Sequence, residues 1–473
     1  MGTRRRYAVV GTGARAETFV RSLVTAHADV AELVAFADVN GARMQAHNRW
    51  LGEIGHPPVP AYRVEDSPGG QPDLSGFEAM LDKERVDTVI VTSMDATHER
   101  YIVAALGAGR SVITEKPMTT TADSCTRILL AARDARASAA AQGRPAPTVA
   151  VAFNYRYNPT HVAVRELLAG GEIGEIGSVH FEWLLDVRHG ADYFRRWHRD
   201  VANSGGLLVH KSSHHFDLVN WWLSARPERV YAQNRLFFYG PQGSQHGYDR
   251  GYERALGAPQ AEGDPFALNL DRQPRMRELY FDAEGEDGYI RDRSVFAPGV
   301  TIADDMSVLV RYDSGATMTY HLNAYAPWEG YRLMVNGSRG RLELEVVETA
   351  YVAPPEERSA SAQAGSIASL YPGHSGIENG WTKLSIHPYW RPSYTVDVPE
   401  ASQEAHGGGD ARLTADLFSG SALAVDPLGR RATEVDGALA LLTGLAGNAS
   451  AETGRAYDVA ELIDPGLLDL RER

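Results

Sequence analysis

Over the first third of the chain, short apolar runs alternate with stretches whose apolar residues recur every three to four positions. Residues 6–10, 32–37, 86–92, 111–114 and 148–153 are the runs. Near-continuous apolar character of that length fits strands buried on both faces of a parallel sheet. Between them, Phe19, Val20, Leu23 and Val24 repeat at helical spacing, residues 98–106 form a helical pattern closed by Gly107 and Gly109, and residues 122–141 form another. Strand and helix in alternation predict a doubly wound α/β sheet, whose ligands lie beyond the carboxyl ends of the strands. The Pro- and Gly-rich residues 56–75 read as a surface loop.

The pattern changes after Pro145 and Pro147, which places a domain boundary near residue 150. Pro159 opens a helix running to Leu168, with proline in the favoured first position. Beyond it, residues 179–187, 229–233, 306–312, 316–321 and 341–345 alternate with period two, and Asp313-Ser314-Gly315 supplies a hairpin turn, so an α+β domain with an open antiparallel sheet is expected over 151–473. Residues 240–298 and 353–405 read as long inserts, of the size used for lids or oligomer arms. Asp410 is positioned to cap a helix over 411–419, and residues 434–449 form the last strong helix, with Val435, Leu439 and Leu442 on its core face.

A net charge of −14, with no basic run beyond Arg4-Arg5-Arg6, disfavours nucleic acid and anionic membranes as partners. Cys125 is the only cysteine, so there is no disulfide framework. The first apolar run is cut at once by Gly11 and Gly13, too short for a signal core or a membrane span. A cytoplasmic protein is expected.

Candidate chemistry lies in two places. In Gly11-Thr12-Gly13-Ala14-Arg15-Ala16, Gly11 permits a tight turn, Gly13 lets a pyrophosphate reach the backbone, and Ala16 allows the following helix to pack closely. Asp38 ends the second strand at the distance of a carboxylate that binds ribose hydroxyls, and neither Val39 nor Asn40 offers a cation for a 2′-phosphate, so NAD is expected rather than NADP. Lys116, in Glu115-Lys116-Pro117, falls at the carboxyl end of a further strand. The second place is the stretch from Ser204 to Asp217, which holds His210, Lys211, His214 and His215. On one helix His210 and His214 share a face, as do Lys211 and His215. No third or fourth ligand accompanies the histidine pair, so no metal is expected; hydrogen-bonded structural histidines at a helix start are the plain alternative to catalysis.

Gly11-x-Gly13-x-x-Ala16, Asp38, the strand leading to His98, Glu115-Lys116-Pro117, Asn154-Tyr-Arg-Tyr-Asn-Pro159 and the stretch from Gly205-Gly206 to Asp217 together resemble the Gfo/Idh/MocA family of nicotinamide-dependent sugar and cyclitol oxidoreductases. The resemblance covers roughly residues 5–225 well and the rest in outline. It implies a Rossmann domain over 1–150 and a substrate-binding and oligomerisation domain over 151–473. It assigns Gly11, Gly13, Ala14, Arg15, Ala16, Asp38, His98, Glu115 and Lys116 to the cofactor, His214 as base for a secondary hydroxyl, and Lys116 as the donor that steadies the developing alkoxide. Where the family has an aspartate this chain has His210, followed by Lys211, an electropositive pair that puts a simple inositol dehydrogenase in doubt. Tyr155, Arg156, Tyr193, Arg196, Trp197, His198, His215 and His406 are of types that line a sugar pocket.

The expected activity is oxidation of a sugar, glycoside or cyclitol by a homodimer or homotetramer. Two alternatives stay open: a redox-assisted glycoside hydrolase that retains its NAD, and a non-catalytic NAD-binding regulator.

Overall fold

Strands Thr88–Val91 and Ser111–Thr114 are buried at every residue, Ala31–Asp38 at all but one, and Arg5–Val10 from Tyr7 onward. Such strands can only be the interior of a sheet covered on both faces. In the computed structural model, which describes residues 4–65, 72–248, 250–270, 273–352, 380–398, 408–419 and 426–469, they are β1 (Arg5–Val10), β2 (Ala31–Asp38), β4 (Thr88–Val91) and β5 (Ser111–Thr114), joined by β3 (Ala61–Arg63) and β6 (Val149–Val151). The strand order is β6-β5-β4-β1-β2-β3, all parallel. Direction of winding reverses at β1, which opens a crevice beyond the carboxyl ends of β1 and β4.

The second sheet has nine strands: β7 (Ile176–Asp186), β8 (Pro227–Arg235), β9 (Asp305–Tyr312), β10 (Thr317–Ala326), β11 (Glu329–Gly337), β12 (Gly340–Thr349), β13 (Trp381–Pro388), β14 (Tyr394–Val396) and β16 (Tyr457–Asp458). Their order is β14-β13-β12-β11-β7-β10-β9-β8-β16, antiparallel except that β10 runs parallel to β7. The inner face buries Phe181, Trp183, Leu322 and Leu333 beneath the helices Ser212–Leu223 and Glu434–Thr453. The outer face is ion-paired: Arg332 with Glu182 and Glu345, Arg311 with Glu228, His321 with Asp305. An apolar outer face would call for a covering subunit; this ion-paired one does not. A two-residue strand, β15 (Ala432–Thr433), returns to pair antiparallel with β6 and completes the first sheet.

Several sequence expectations change. Residues 353–405 are not wholly an insert, because β13 and β14 lie within them. Residues 329–337, between two predicted strands, form β11. Residues beyond Asp186 turn into the helix Val187–Arg195, whose amino end Asp186 caps by accepting from the backbone N–H groups of Arg188 and His189. The Ser204–Asp217 stretch is not one helix: a turn of helix Leu207–His210 meets helix Ser212–Leu223 at Lys211, and Gly205, at φ +69°, allows the preceding reversal. Helix Gly409–Phe418 is capped by Gly408 rather than Asp410, whose carboxylate bonds Arg15 instead. Among the described residues no helix is long and apolar enough to cross a membrane.

Candidate active site

The carboxyl ends of β1, β2, β4 and β5 and the kink at Lys211 together enclose one cavity of about 380 Å³. Gly11, at φ +85°, passes so close to the backbone of Ser93 that any Cβ there would collide with it. The turn it makes leads into the amino end of helix Ala16–Val24, where an anion is favoured. Asp38 holds the turn in place, accepting from the Thr12 N–H and, at 2.7 Å, from the Thr12 hydroxyl. The residues present therefore fit a dinucleotide: a turn stripped of side chains, a helix amino end, and a carboxylate one strand away.

An arm from the first insert lies over this end. Tyr280 Oη accepts from the Ala14 N–H at 2.9 Å, and Glu286 accepts from the backbone N–H groups of Gly41 and Ala42, at the start of helix Gly41–Glu53. Arg43, one turn into that helix, donates to the Leu279 carbonyl and pairs with Asp287 at 2.7 Å. Asp287 and Arg43 line the cavity beside Asp38.

At the other end, Lys116 Nζ donates to the His210 carbonyl at 3.0 Å and lies 3.4 Å from His210 Nε2. His210 Nδ1 is 2.5 Å from Asp95 Oδ2. Burial raises the Asp95 carboxyl and lowers the His210 imidazole, the latter with help from Lys116 and Arg196. Lys116, which can only donate, turns its ammonium toward Nε2, so the ring proton lies on Nδ1, toward Asp95. His214 faces the cavity with its ring stacked on Tyr155 at 4.3 Å, and the Tyr155 hydroxyl accepts from Lys211 Nζ at 3.0 Å. Burial brings Lys116 down to about 8, Asp95 and Glu115 partly opposing it, and brings Lys211 to about 8 as well. His189 bonds Glu329 at 2.6 Å and Tyr193 at 3.2 Å; burial pushes the imidazole down to about 3 and the carboxyl up, Lys211 partly opposing the latter.

Family models decide what this geometry belongs to. The NAD-binding Rossmann-fold model of the Gfo/Idh/MocA oxidoreductases matches residues 5–141, and their C-terminal alpha/beta domain model matches residues 165–458. The chain belongs to the Gfo/Idh/MocA family. YteT of Bacillus subtilis, a protein named as an oxidoreductase, is 32% identical over 420 residues, 87% of each chain. The inositol 2-dehydrogenase of Paracoccus denitrificans is 34% identical over 161 residues, 34% of this chain and 40% of that one. Two solved structures share the fold: aldose-aldose oxidoreductase from Caulobacter crescentus (TM-score 0.57, 16% identity, 96% of this chain and 100% of that one) and an Agrobacterium radiobacter oxidoreductase in complex with NAD+, L-tartaric acid and magnesium (TM-score 0.58, 14% identity, 98% and 100%).

Not every residue expected at this Gfo/Idh/MocA site lines its cavity. Gly11, Gly13, Ala14, Arg15, Asp38, Glu115, Lys116, Tyr193, Arg196, Trp197, His198, His210, Lys211 and His214 do. Ala16 is buried beneath the turn, and His98 lies under the Lys116 loop with its ring nitrogens at the carbonyls of Ser93 and Pro117. Tyr155 stands behind His214. Arg156 is spent on Asp217, Asp436 and the Gly429 carbonyl in the core, and His215 stacks on Trp183 at 4.1 Å with Nδ1 at the Tyr320 hydroxyl. His406 lies outside the described residues. Asp95, His189, Asp192, Arg43 and Tyr280 line the cavity without having been singled out; Asp95, three residues before His98, and Asp192 and His189, just before Tyr193, had a nearby signal. Among the described residues no group of His, Cys, Asp or Glu could hold a metal ion.

Proposed function

We propose that this member of the family is an NAD-dependent dehydrogenase oxidising a secondary hydroxyl of a sugar, glycoside or cyclitol. The observation that carries the reading is that Lys116, His210 and His214 face the same cavity that the glycine turn and Asp38 line. When bound, nicotinamide supplies the hydride acceptor. The chain supplies the rest. His214 takes the hydroxyl proton, its ring held in position by the Tyr155 face. Lys116, tethered to the His210 carbonyl, offers its remaining ammonium protons to the oxygen as negative charge develops. Asp95 fixes the orientation of His210 and aims Nε2 at the same oxygen.

NAD is preferred in this reading because a 2′-phosphate near Asp38 would meet two carboxylates, Asp38 and Asp287, and the nearby cation, Arg43, is already paired. The test is reduction of added NAD with a panel of aldoses, glycosides and cyclitols, followed at the nicotinamide absorbance. Turnover on one class that His214→Ala abolishes supports the reading; no reduction with any of them overturns it.

The arm over the glycine turn favours a second reading, a redox-assisted glycoside hydrolase that keeps its NAD. Release of nitrophenol from a nitrophenyl glycoside without net reduced nicotinamide, and NAD in the mass spectrum of the purified protein, would replace the first reading with this one. A non-catalytic regulator has no use for Lys116 and His214 facing one cavity. Association into a dimer or tetramer is measured by light scattering at micromolar concentration, where a monomer rejects it.

A further inference from the structure

Asp38 sits beside two arginines and a helix start, and an acidic pair from the first insert engages them all. Arg63, on β3, is in register with Asp38 on β2. The N–H groups of Gly41 and Ala42 open the helix Gly41–Glu53 just after Asp38, and Arg43 lines the cavity with it. Glu286 Oε2 accepts from the Gly41 N–H at 2.6 Å and from Arg63 Nη1 at 3.0 Å, and its Oε1 accepts from the Ala42 N–H at 3.0 Å. The adjacent Asp287 pairs with Arg43 at 2.7 Å.

Guanidinium groups and the N–H groups of a helix start are the usual partners of a phosphate. They are gathered at the place where a phosphate distinguishes the two nicotinamide dinucleotides. Asp38 is placed for the ribose hydroxyls of the adenosine half, and NADP differs from NAD only in a phosphate on the 2′ oxygen. Asp38 disfavours that phosphate by its charge, yet its bonds to Thr12 and to the Asn40 N–H commit it to holding the turn. Glu286 and Asp287 go further, because they occupy the groups that would offset the phosphate's charge. The insert is tied down where it does so. Its Ala283 carbonyl accepts from Asn40 Nδ2 at 2.9 Å, its Leu279 carbonyl accepts from Arg43 Nε at 3.0 Å, and its Glu278 pairs with Arg49 at 2.7 Å. Carboxylates held in this way need no rearrangement to exclude a second anion.

We propose that Glu286 and Asp287 set the cofactor choice by filling in advance the place of a 2′-phosphate, and that Arg63, Arg43 and the Gly41 and Ala42 N–H groups form a latent 2′-phosphate site beneath them. The proposal rests on the reading that the cavity takes NAD in preference to NADP, and it names the residues that make the choice. They act from 245 residues away in the chain. Removing their charge therefore creates NADP binding rather than merely weakening a preference.

The test is calorimetric titration of the full chain with NAD and with NADP, in the absence of any substrate. Glu286→Gln combined with Asp287→Asn keeps the hydrogen-bond acceptors and removes the charge. In that variant NADP should bind about tenfold or more tightly than it does to wild type, the worth of one charge-assisted bond gained, while NAD stays within about threefold. Adding Arg63→Ala should take most of the gain back. An unchanged NAD-to-NADP ratio in the double variant assigns the choice to Asp38 and overturns the proposal while the NAD preference stands; a gain that survives Arg63→Ala also overturns it. Equal affinities in wild type, or binding of neither nucleotide, overturn the NAD preference and the proposal together. Should the double variant fail to fold, Glu286→Gln alone decides, at a partly exposed side chain: a smaller gain in NADP affinity sustains the proposal, and no gain overturns it.

Discussion

The two ends of the cleft handle buried charge in opposite ways. At the glycine turn, charges are kept and paired: Asp38 with the Thr12 N–H and hydroxyl, Arg43 with Asp287, Arg15 with Glu115 and Asp410, Glu286 with a helix amino end. At the Lys116 end, burial raises the carboxyls of Asp95 and Glu329, lowers the imidazoles of His189, His198 and His210, and brings two lysines to about 8. A site that only binds gains from fixed charges in fixed geometry, while a site that moves protons needs groups whose two protonation states lie close in energy. In the proposed dehydrogenase the glycine-turn end has the first character and the Lys116 end the second.

The largest expected effect tests that division directly. His214→Ala should cut turnover by roughly 10² to 10⁴-fold, the worth of a positioned base, while the melting shift caused by added NAD stays near that of wild type. Loss of NAD binding with turnover would mean the two ends are not separate in function. Next comes pH. Because burial lowers Lys116 to about 8, its ammonium is present below that pH and lost above it. A role as donor to the alkoxide therefore requires kcat to fall about tenfold per pH unit on the alkaline side of about 8. Lys116→Arg, which stays protonated, should carry that limb beyond pH 10; a limb that does not move belongs to Lys211 or to neither lysine.

A smaller effect is expected at His210, whose proposed task is orientation. His210→Ala should raise KM by about tenfold with a lesser change in kcat. His210→Asp, which restores the family's residue, should remain measurably active, though it then faces Asp95; paired with Asp95→Asn it should recover further. If His210→Ala matches wild type in both constants, the Asp95 pair is structural. The smallest effect lies at the binding end, where NAD should bind at least about tenfold more tightly than NADP, on the order of 1.4 kcal/mol. Equal affinities by calorimetry would show that Arg43 leaves Asp287 for a 2′-phosphate.

Much of the glycine-turn end was legible in the sequence because its logic is local. Gly11, Gly13 and Ala16 act within one turn, Asp38 ends the next strand, and Lys116 follows a buried one. The fold class was legible for the same reason, through period and run length. What escaped came from long range. Asp95 and His210 are 115 residues apart, and nothing in either neighbourhood announces that a carboxylate on the first sheet meets the position where the family aspartate is missing. Tyr280 reaches the glycine turn, and Glu286 the helix after β2, from an insert whose composition reads as loop. His215 was misplaced because it is adjacent to His214: neighbours on a helix point about 100° apart, so the turn that aims His214 at the cavity sends His215 into the core. Arg156 was misplaced because its partner, Asp217, lies 61 residues away. β13 was missed because Trp381 and Lys383 leave only Leu384 and Ile386 to mark its buried part, whereas β11 alternates in phase, Tyr331, Leu333 and Val335 inward, and was overlooked.

β15 gives the molecule a seam. Its two residues close the edge of a sheet whose other strands were all laid down before the second sheet began. As the chain leaves the ribosome, β6 must therefore wait, its outer row of N–H and C=O groups open, until everything from β7 to β14 has emerged; such an edge is a ready template for pairing with another nascent copy. A splice near residue 150 would likewise graft a sheet lacking its last strand and an Arg15 lacking Asp410. In assembly and in engineering alike, the two halves are sewn together and do not behave as interchangeable cassettes.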